Sequence, residues 1–557
     1  MRLFWLALGG LLCGTVLSTG LWMTWVAAAF ELKPPMGANL KAAAMLAFSA
    51  SNLLPITIGS LAVGYGLSLV GVWLAWLLGN PHMKPSRHVR GATFASVPVL
   101  KRMTNEQTVR NRFLRVKAAF QFAHEKPGPA QIWRDFWRHV PQATVGGVPI
   151  PVAVEPLHML VAGTTGAGKS QAIKEILAGA VKRGDRVLVV DPNGDYYSIF
   201  ARPGDLVLNP FDRRTPGWSI FNEIRSTYDC ERFARSVVPD GTGDMREWNG
   251  YAQFLLKEVM NKLWSQGCRE TSVLIKFVCE LPIPTLGEYM ADTAAASMFS
   301  EGAEKTMGST RFIATKHLGP HKHMPQGDFS LRDWLEQASG NLYITWREDM
   351  ADALRSLIST WFDVVITATL SAPVHGPPRP TWFVCDELAS LEKLSSLEAG
   401  LTKGRKHGAR FLCGIQSTAQ LDDLYGKEKA VTLRSCFRNL LFLNIPHTDP
   451  ATAEELSKGV GEMEFVRKET QRSVGWSLKN SSRTISRRNV TEKALLPSQI
   501  QDLPNLKAYV SFAGDYPITK LSLASHLFPK IGVPFEARLE APPADPVMSS
   551  TYASGTS

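Results

Sequence analysis

Two stretches near the start of the chain carry no Asp, Glu, Lys or Arg: Leu3 to Phe30, and Ala42 to Met83. A helix needs about 20 apolar residues to cross a bilayer, and the first stretch exceeds that. The second is too long for one helix. Pro55 and several glycines divide it and place a span near Ile56 to Leu78. Trp22, Trp25, Trp73 and Trp76 fall towards the span ends, where indole rings favour the interface. The pattern predicts a transmembrane anchor over residues 1–83, with spans at 3–28 and 56–78 and a short loop between them. A cleaved signal peptide is the alternative for the first span, since Ala27-Ala28-Ala29 has the small residues of a cleavage site. Its apolar run is far longer than such peptides carry.

Beyond residue 83 the pattern changes to short apolar runs alternating with helical spacing. His158 to Ala162 reads as a buried strand. Gln171 to Lys182 reads as a helix, with Ile173, Ile176, Leu177 and Ala180 on one face. Gly184-Asp185 marks a turn, and Arg186 to Val190 is the next strand. This β-α-β order is that of a parallel α/β sheet. From about Thr215 to Gln326 the periodicity is helical. Trp248, Tyr251, Ala252, Leu255, Val259 and Leu263 share a face, and Leu274 to Cys279 and Ala303 to His317 also read as helix. Strand patterning resumes at Asn341 to Trp346, Trp382 to Cys385 and Arg410 to Ile415. The boundaries expected are 84–214 and 327–535 for a nucleotide-binding domain, 215–326 for an inserted all-α domain, and 536–557 for a disordered tail. Arg467 to Lys493 is basic and rich in Ser, Thr and Asn, as in an exposed loop or hairpin.

Charge adds direction. The net charge is +11 over 557 residues, which suits contact with nucleic acid or anionic lipid, or reflects membrane-flanking cations. Lys84, Arg87, Arg90, Lys101, Arg102, Arg110, Arg112, Arg115 and Lys117 follow the second span, interrupted by Glu106. By the positive-inside rule that side is cytoplasmic, so both termini and the main body lie inside. Seven cysteines, irregularly spaced and without a C-x-x-C pair, indicate neither a disulfide framework nor a zinc site.

The candidate chemistry centres on Gly163-Thr164-Thr165-Gly166-Ala167-Gly168-Lys169-Ser170, which matches G-x-x-x-x-G-K-[ST] between a strand and a helix. Glycines let backbone N–H groups turn inward around phosphate oxygens. In that frame Lys169 reaches the β- and γ-phosphates of ATP, and Ser170 binds Mg²⁺. A hydrolase of this type also needs carboxylates. Asp386-Glu387, at the end of the apolar run Trp382 to Cys385, supplies one for the metal and one to polarise water. Asp191, at another strand end, opens a turn or faces the nucleotide, and the turn is favoured. The basic cluster Lys403 to Arg410 is either a solvated helix end or the source of an arginine acting at a neighbouring subunit. Gln416, at the tip of the next strand, is placed to sense the γ-phosphate.

Several stretches in order resemble the TraD/TrwB family of conjugative type IV secretion coupling proteins. They are Val190-Asp191-Pro192-Asn193-Gly194-Asp195, Leu208-Asn209-Pro210-Phe211-Asp212, Ile344-Thr345-Trp346-Arg347-Glu348-Asp349, Asp386-Glu387-Leu388-Ala389-Ser390-Leu391, Leu401-Thr402-Lys403-Gly404-Arg405-Lys406 and Gly414-Ile415-Gln416-Ser417-Thr418. The resemblance covers roughly residues 100 to 535. It implies a RecA-like P-loop NTPase core akin to the FtsK/HerA translocases. It further implies a homohexamer on the bacterial inner membrane, and ATP-driven movement of single-stranded plasmid DNA with its relaxase to the secretion channel. On the family's motifs, Arg405 matches the trans arginine and Gln416 the nucleotide-sensing glutamine. Relaxosome proteins and inner-membrane components of the secretion system are the implied partners. A receptor ATPase for protein effectors and an FtsK-like DNA pump are the alternative readings.

Overall fold

In the computed structural model, residues 2–29, 54–79, 87–122, 128–337, 340–373, 378–473 and 482–538 are described. By internal contacts the chain forms two units. One comprises Met1–Val89 with Glu464–Val490, the other Arg90–Met463 with Thr491–Ser557.

The larger unit is organised on a nine-stranded sheet. Its strands are numbered here in chain order: β1 Met159–Ala162, β2 Arg186–Pro192, β3 Leu206–Leu208, β4 Leu342–Trp346, β5 Thr381–Cys385, β6 Ala409–Ile415, β7 Asn439–Phe442, β8 Lys507–Ser511 and β9 Thr519–Ser522. The spatial order is β9-β8-β7-β1-β6-β5-β2-β4-β3. The seven strands from β7 to β3 are parallel, and β8 and β9 extend the β7 edge antiparallel. β1, β4, β5 and β6 are buried at every position, as expected where helices cover both faces of a parallel sheet. β1 to β2 is not a neighbour connection, because β6 and β5 lie between them. Such a switch in strand order opens a crevice at the carboxyl ends of the strands, where ligands of α/β proteins bind.

Strands β1, β2, β4, β5 and β6 coincide with the runs expected from patterning. β3, β7, β8 and β9 were not anticipated. β3 has three residues and β7 four, too few to show a period. β9 alternates buried and exposed positions.

Residues 220–323 form helices joined by turns, with no strand, and the longest helices are Met245–Ser265 and Glu304–Leu318. Lys276–Glu280 continues Thr271–Ile275 as a π-turn. Ala252, Leu255, Val259 and Leu263 are buried, whereas Trp248 and Tyr251 are half-buried and pack edge-on, 5.9 Å apart. This region does not keep a core of its own. Phe233, Val259 and Met260 belong to the same apolar cluster as Leu160 of β1, Ile344 of β4 and Trp361. Trp361 lies on Ala351–Ser371, the helix between β4 and β5. Glu348–Ser371 is also long and apolar enough to cross a membrane, but it is 83% buried inside this unit.

In the smaller unit, Arg2–Ala29 and Leu54–Gly79 are helices. They pack against each other through small residues. A Cβ added at Gly64 would stand 2.2 Å from the Ser18 hydroxyl, and one at Gly14 would meet the Tyr65 ring at 2.6 Å. The expected loop between the spans falls outside the described residues, as does the expected tail from residue 539 onward. The described parts of the basic segment 467–493 lie in two neighbouring strands, Glu462–Ser473 and Ser482–Lys493, of a three-stranded sheet with Arg87–Gly91.

Candidate active site

The phosphate loop joins β1 to the helix Lys169–Arg183 at the centre of the sheet. Gly166 and Gly168 have φ of +78° and +113°, a region a β-carbon disfavours. Gly168 is also close-packed, since an added Cβ would come within 2.8 Å of Leu506. The loop is tied to its neighbours on either side. Gly163 N–H donates to Ile415 O at 3.1 Å, and Thr164 N–H to Asn444 O at 2.9 Å. The loop's shape is thus set by the ends of β6 and β7.

Lys169 is 8% exposed and donates to Gly163 O at 2.8 Å. Its ammonium stands 4.0 Å from Glu387. Burial pushes its pKa down, against the pull of Glu387 and Asp386. Asp386 and Glu387 follow β5 at the same end of the sheet, one strand beyond β6. Asp386 Oδ2 accepts from Ser170 Oγ at 2.5 Å and from Tyr196 Oη at 2.9 Å. Asp386 Oδ1 is buried without a hydrogen-bond partner, and so are both Glu387 carboxylate oxygens. Burial raises the Glu387 pKa, opposed by Gln416 and Lys169 nearby, neither of which reaches hydrogen-bond geometry with it. Gln416 ends β6 and accepts from Thr165 Oγ1 of the phosphate loop at 3.1 Å. Gly414 makes this convergence possible, because a Cβ there would lie 1.9 Å from Asp386 O.

Buried carboxylate oxygens are normally paired, so three unpaired ones beside a lysine mark a place built for a ligand. Ser170 hydroxyl and the free Asp386 oxygen are hard oxygen donors. They suit Mg²⁺, which takes one or two protein oxygens and completes its shell with water and phosphate.

Two residues settle differently. Asp191 does not face this cluster. Its Oδ1 and Oδ2 accept from Tyr196 and Tyr197 N–H at 2.9 and 2.7 Å, starting the short helix Asp195–Phe200. Burial pushes its pKa up to about 7. This is the turn role. Arg405 stands apart from the cluster within its own chain. It lies in the turn Gly404–His407 that precedes β6, whereas the phosphate loop, Glu387 and Gln416 follow the carboxyl ends of their strands. Its side chain is exposed and lines an open hollow with Pro378, Thr402, Lys403 and Lys406.

Tyr196 was not anticipated. It is 2% exposed, and the backbone that carries it is fixed by Asp191. The available signal was its place directly after the Asp191-Pro192-Asn193-Gly194-Asp195 turn.

Residues 142–524 match the family model described as the type IV secretion-system coupling protein DNA-binding domain. The coupling protein TraD of Escherichia coli K12 is 31% identical over 406 residues, covering 71% of this chain. That alignment spans 56% of TraD, so the chain corresponds to little more than half of that relative. The bacterial conjugative coupling protein TrwBdeltaN70, in its unbound monoclinic form, superimposes with a TM-score of 0.71 at 42% identity. The match covers 81% of this chain and 97% of that one. TrwB in complex with ADP and Mg²⁺ gives 0.70 at the same identity, over 82% of this chain and 99% of that one. By sequence over most of its length, and by fold, the chain belongs to the type IV secretion-system coupling protein family.

Proposed function

We propose that this protein is an ATP-driven coupling protein that links a relaxase–DNA complex to a type IV secretion channel during conjugation. One observation carries the ATPase part: Asp386 and Glu387 hold three buried, unpartnered oxygens beside Lys169 and a P-loop serine. Bound Mg²⁺ would supply positive charge to neutralise the charge developing on the phosphates. Ser170 and Asp386 would hold it. Backbone N–H groups of Thr165, Gly166, Gly168, Lys169 and Ser170, which the bonds to Ile415 O and Asn444 O leave untouched, would cradle the phosphates, and Lys169 gives up its bond to Gly163 O to reach the γ-phosphate. Glu387 orients the attacking water and takes its proton, a task for which its raised pKa suits it. Gln416 joins the tip of β6 to the phosphate loop and so reports whether the γ-phosphate is present. Arg405 acts in trans, its exposed place before β6 suiting the γ-phosphate of a neighbour in a homohexamer. The membership of its family supports the cargo: single-stranded plasmid DNA, relaxosome proteins and inner-membrane parts of the secretion system.

The domain reading accompanies this. Residues 1–83 anchor the protein in the bacterial inner membrane with both termini inside. Residues 84–214 and 327–535 form the RecA-like nucleotide-binding domain, and 215–326 an inserted all-α domain. The test is steady-state ATP hydrolysis by the full-length protein in detergent, with and without single-stranded DNA, beside Lys169→Ala. DNA-stimulated, salt-sensitive activity absent from the variant is expected. Activity indifferent to DNA would replace the DNA cargo with a protein one. Activity surviving in Lys169→Ala would remove the site assignment.

A further inference from the structure

The helices Val109–Phe122 and Pro129–Trp137 pack on each other, and none of their described side chains belongs to either apolar cluster of the larger unit. No residue of the second helix is buried. Their aromatic rings form a chain instead: Phe113 to Phe136 at 5.2 Å, Phe136 to Trp137 at 5.2 Å, and Trp137 to Trp133 at 5.6 Å. The Arg112 guanidinium lies over Trp137 at 4.9 Å. Even so, Phe113, Trp133 and Trp137 remain 61%, 68% and 53% exposed. Around them Arg110, Lys117 and Arg134 are exposed as well, and none has an acidic partner among the described residues. The pair is held at its base by polar contacts, Asn111 Nδ2 to Met103 O and Asn105 O, and Gln107 Nε2 to Val140 O.

Large exposed aromatics in one patch are uncommon on a surface that meets only water. Indole rings interleaved with arginine are the composition of a segment lying in a bilayer interface, rings at the headgroup boundary and cations on the phosphates. The order in the chain agrees: two apolar helices, then this pair, then the sheet. We propose that the surface made by Val109–Phe122 and Pro129–Trp137 docks on an anionic lipid bilayer, with Trp133 and Trp137 inserted at headgroup level and Arg110, Lys117 and Arg134 on lipid phosphates. The occupant is lipid because the patch is cationic and aromatic together and follows apolar helices in the chain. The proposal accompanies the membrane-anchor reading without depending on the same residues.

Hydrogen–deuterium exchange on the full-length protein tests both separately. Two nanodisc preparations are compared, one of phosphatidylcholine alone and one containing phosphatidylglycerol. Short helices are marginal on their own, so their amides report docking. Exchange across 109–122 and 129–137 should slow by about tenfold in the anionic discs only, within what a few cations near such a surface supply. High salt and the double variant Trp133→Ser, Trp137→Ser should abolish the difference. Equal exchange in both discs overturns the proposal. Protection that needs a single-stranded oligonucleotide overturns it in favour of nucleic acid, and protection that tracks protein concentration whatever the lipid does so in favour of a second copy. Free exchange at 2–29 and 54–79 in the discs would sink the anchor reading alone. Protection of 109–137 by added anionic vesicles would then still support the docking surface.

Discussion

The two ends of the central sheet treat their carboxylates in opposite ways. At the amino-terminal ends of the strands, Glu155 and Asp185 are buried and fully bonded. Arg183 forks across both, reaching Glu155 at 2.8 and 2.7 Å and Asp185 at 3.1 to 2.6 Å. Arg410 adds a bond to Glu155 at 2.9 Å, and Trp382 Nε1 one to Asp185 at 2.8 Å. The two carboxylates hold the Arg183 pKa above its ordinary value. At the carboxyl ends, Asp386 and Glu387 are half-buried beside one lysine, with three buried oxygens that accept no hydrogen bond. The same sheet holds a finished ion cluster at one end and an unfinished one at the other. A finished cluster needs nothing more, and an unfinished one needs a ligand.

The largest test of this contrast is Glu387→Gln. Removing a general base lowers turnover by roughly 10²–10⁴-fold. Glu387 accepts no hydrogen bond and its nearest cation, Lys169, stands 4.0 Å away, so the neutral amide breaks no bonded cluster and thermal stability should stay near wild type while nucleotide binding persists. A marked fall in melting temperature would show that Glu387 is structural. The matching change at the other end is Glu155→Gln. Breaking a buried, hydrogen-bonded charge cluster typically destabilises by about 3–5 kcal/mol. Denaturant unfolding should show that loss, while turnover per folded molecule stays near wild type.

Tyr196→Phe is expected to act more gently. It removes the hydroxyl that holds Asp386 Oδ2. A hydrogen bond to a charged group is worth about 1.5–3 kcal/mol. The Mg²⁺ concentration that supports binding of a fluorescent ADP analogue should rise by about tenfold or somewhat more, with binding at saturating Mg²⁺ little changed. An unaltered Mg²⁺ titration would mean that Ser170 alone positions Asp386.

How far this contrast was legible beforehand follows from sequence distance. Gly163 to Ser170 is a local word, read without knowing the fold. Asp386, Glu387 and Gln416 needed only the habit of α/β proteins of placing chemistry after apolar strands. Tyr196 was missed because its partner lies 190 positions away, and nothing in its own neighbourhood announces a hydroxyl aimed at a carboxylate. The Glu155–Arg183–Arg410 cluster was equally silent, since Arg410 read as one cation in the run from Lys403. The apolar cluster shared by the 220–323 helices and the sheet was also out of reach, because helical periodicity shows that a face is buried but not against what. The basic stretch from Arg467 left loop and hairpin open, and only strand pairing shows that its described parts are strands.

The smallest effect expected is a slope. Asp191 sits at the unfinished end, its side chain bonded by two N–H groups and acted on weakly by the opposing charges of Asp195 and Lys174. Burial moves its pKa from 3.8 to about 7. Folded protein therefore holds a proton on Asp191 over a range where unfolded protein has released it. The resulting stability is fully present below the unfolded value and is lost as pH rises through the folded one. From about pH 4 to pH 7 this group alone makes the fold less stable with rising pH. Denaturant midpoints measured across that range should fall less steeply in Asp191→Asn than in wild type, although the variant is weaker overall because its amide accepts only one of the two N–H groups. Parallel slopes would place Asp191 among the finished carboxylates, and the distinction between the two ends would then rest on Asp386 and Glu387 alone.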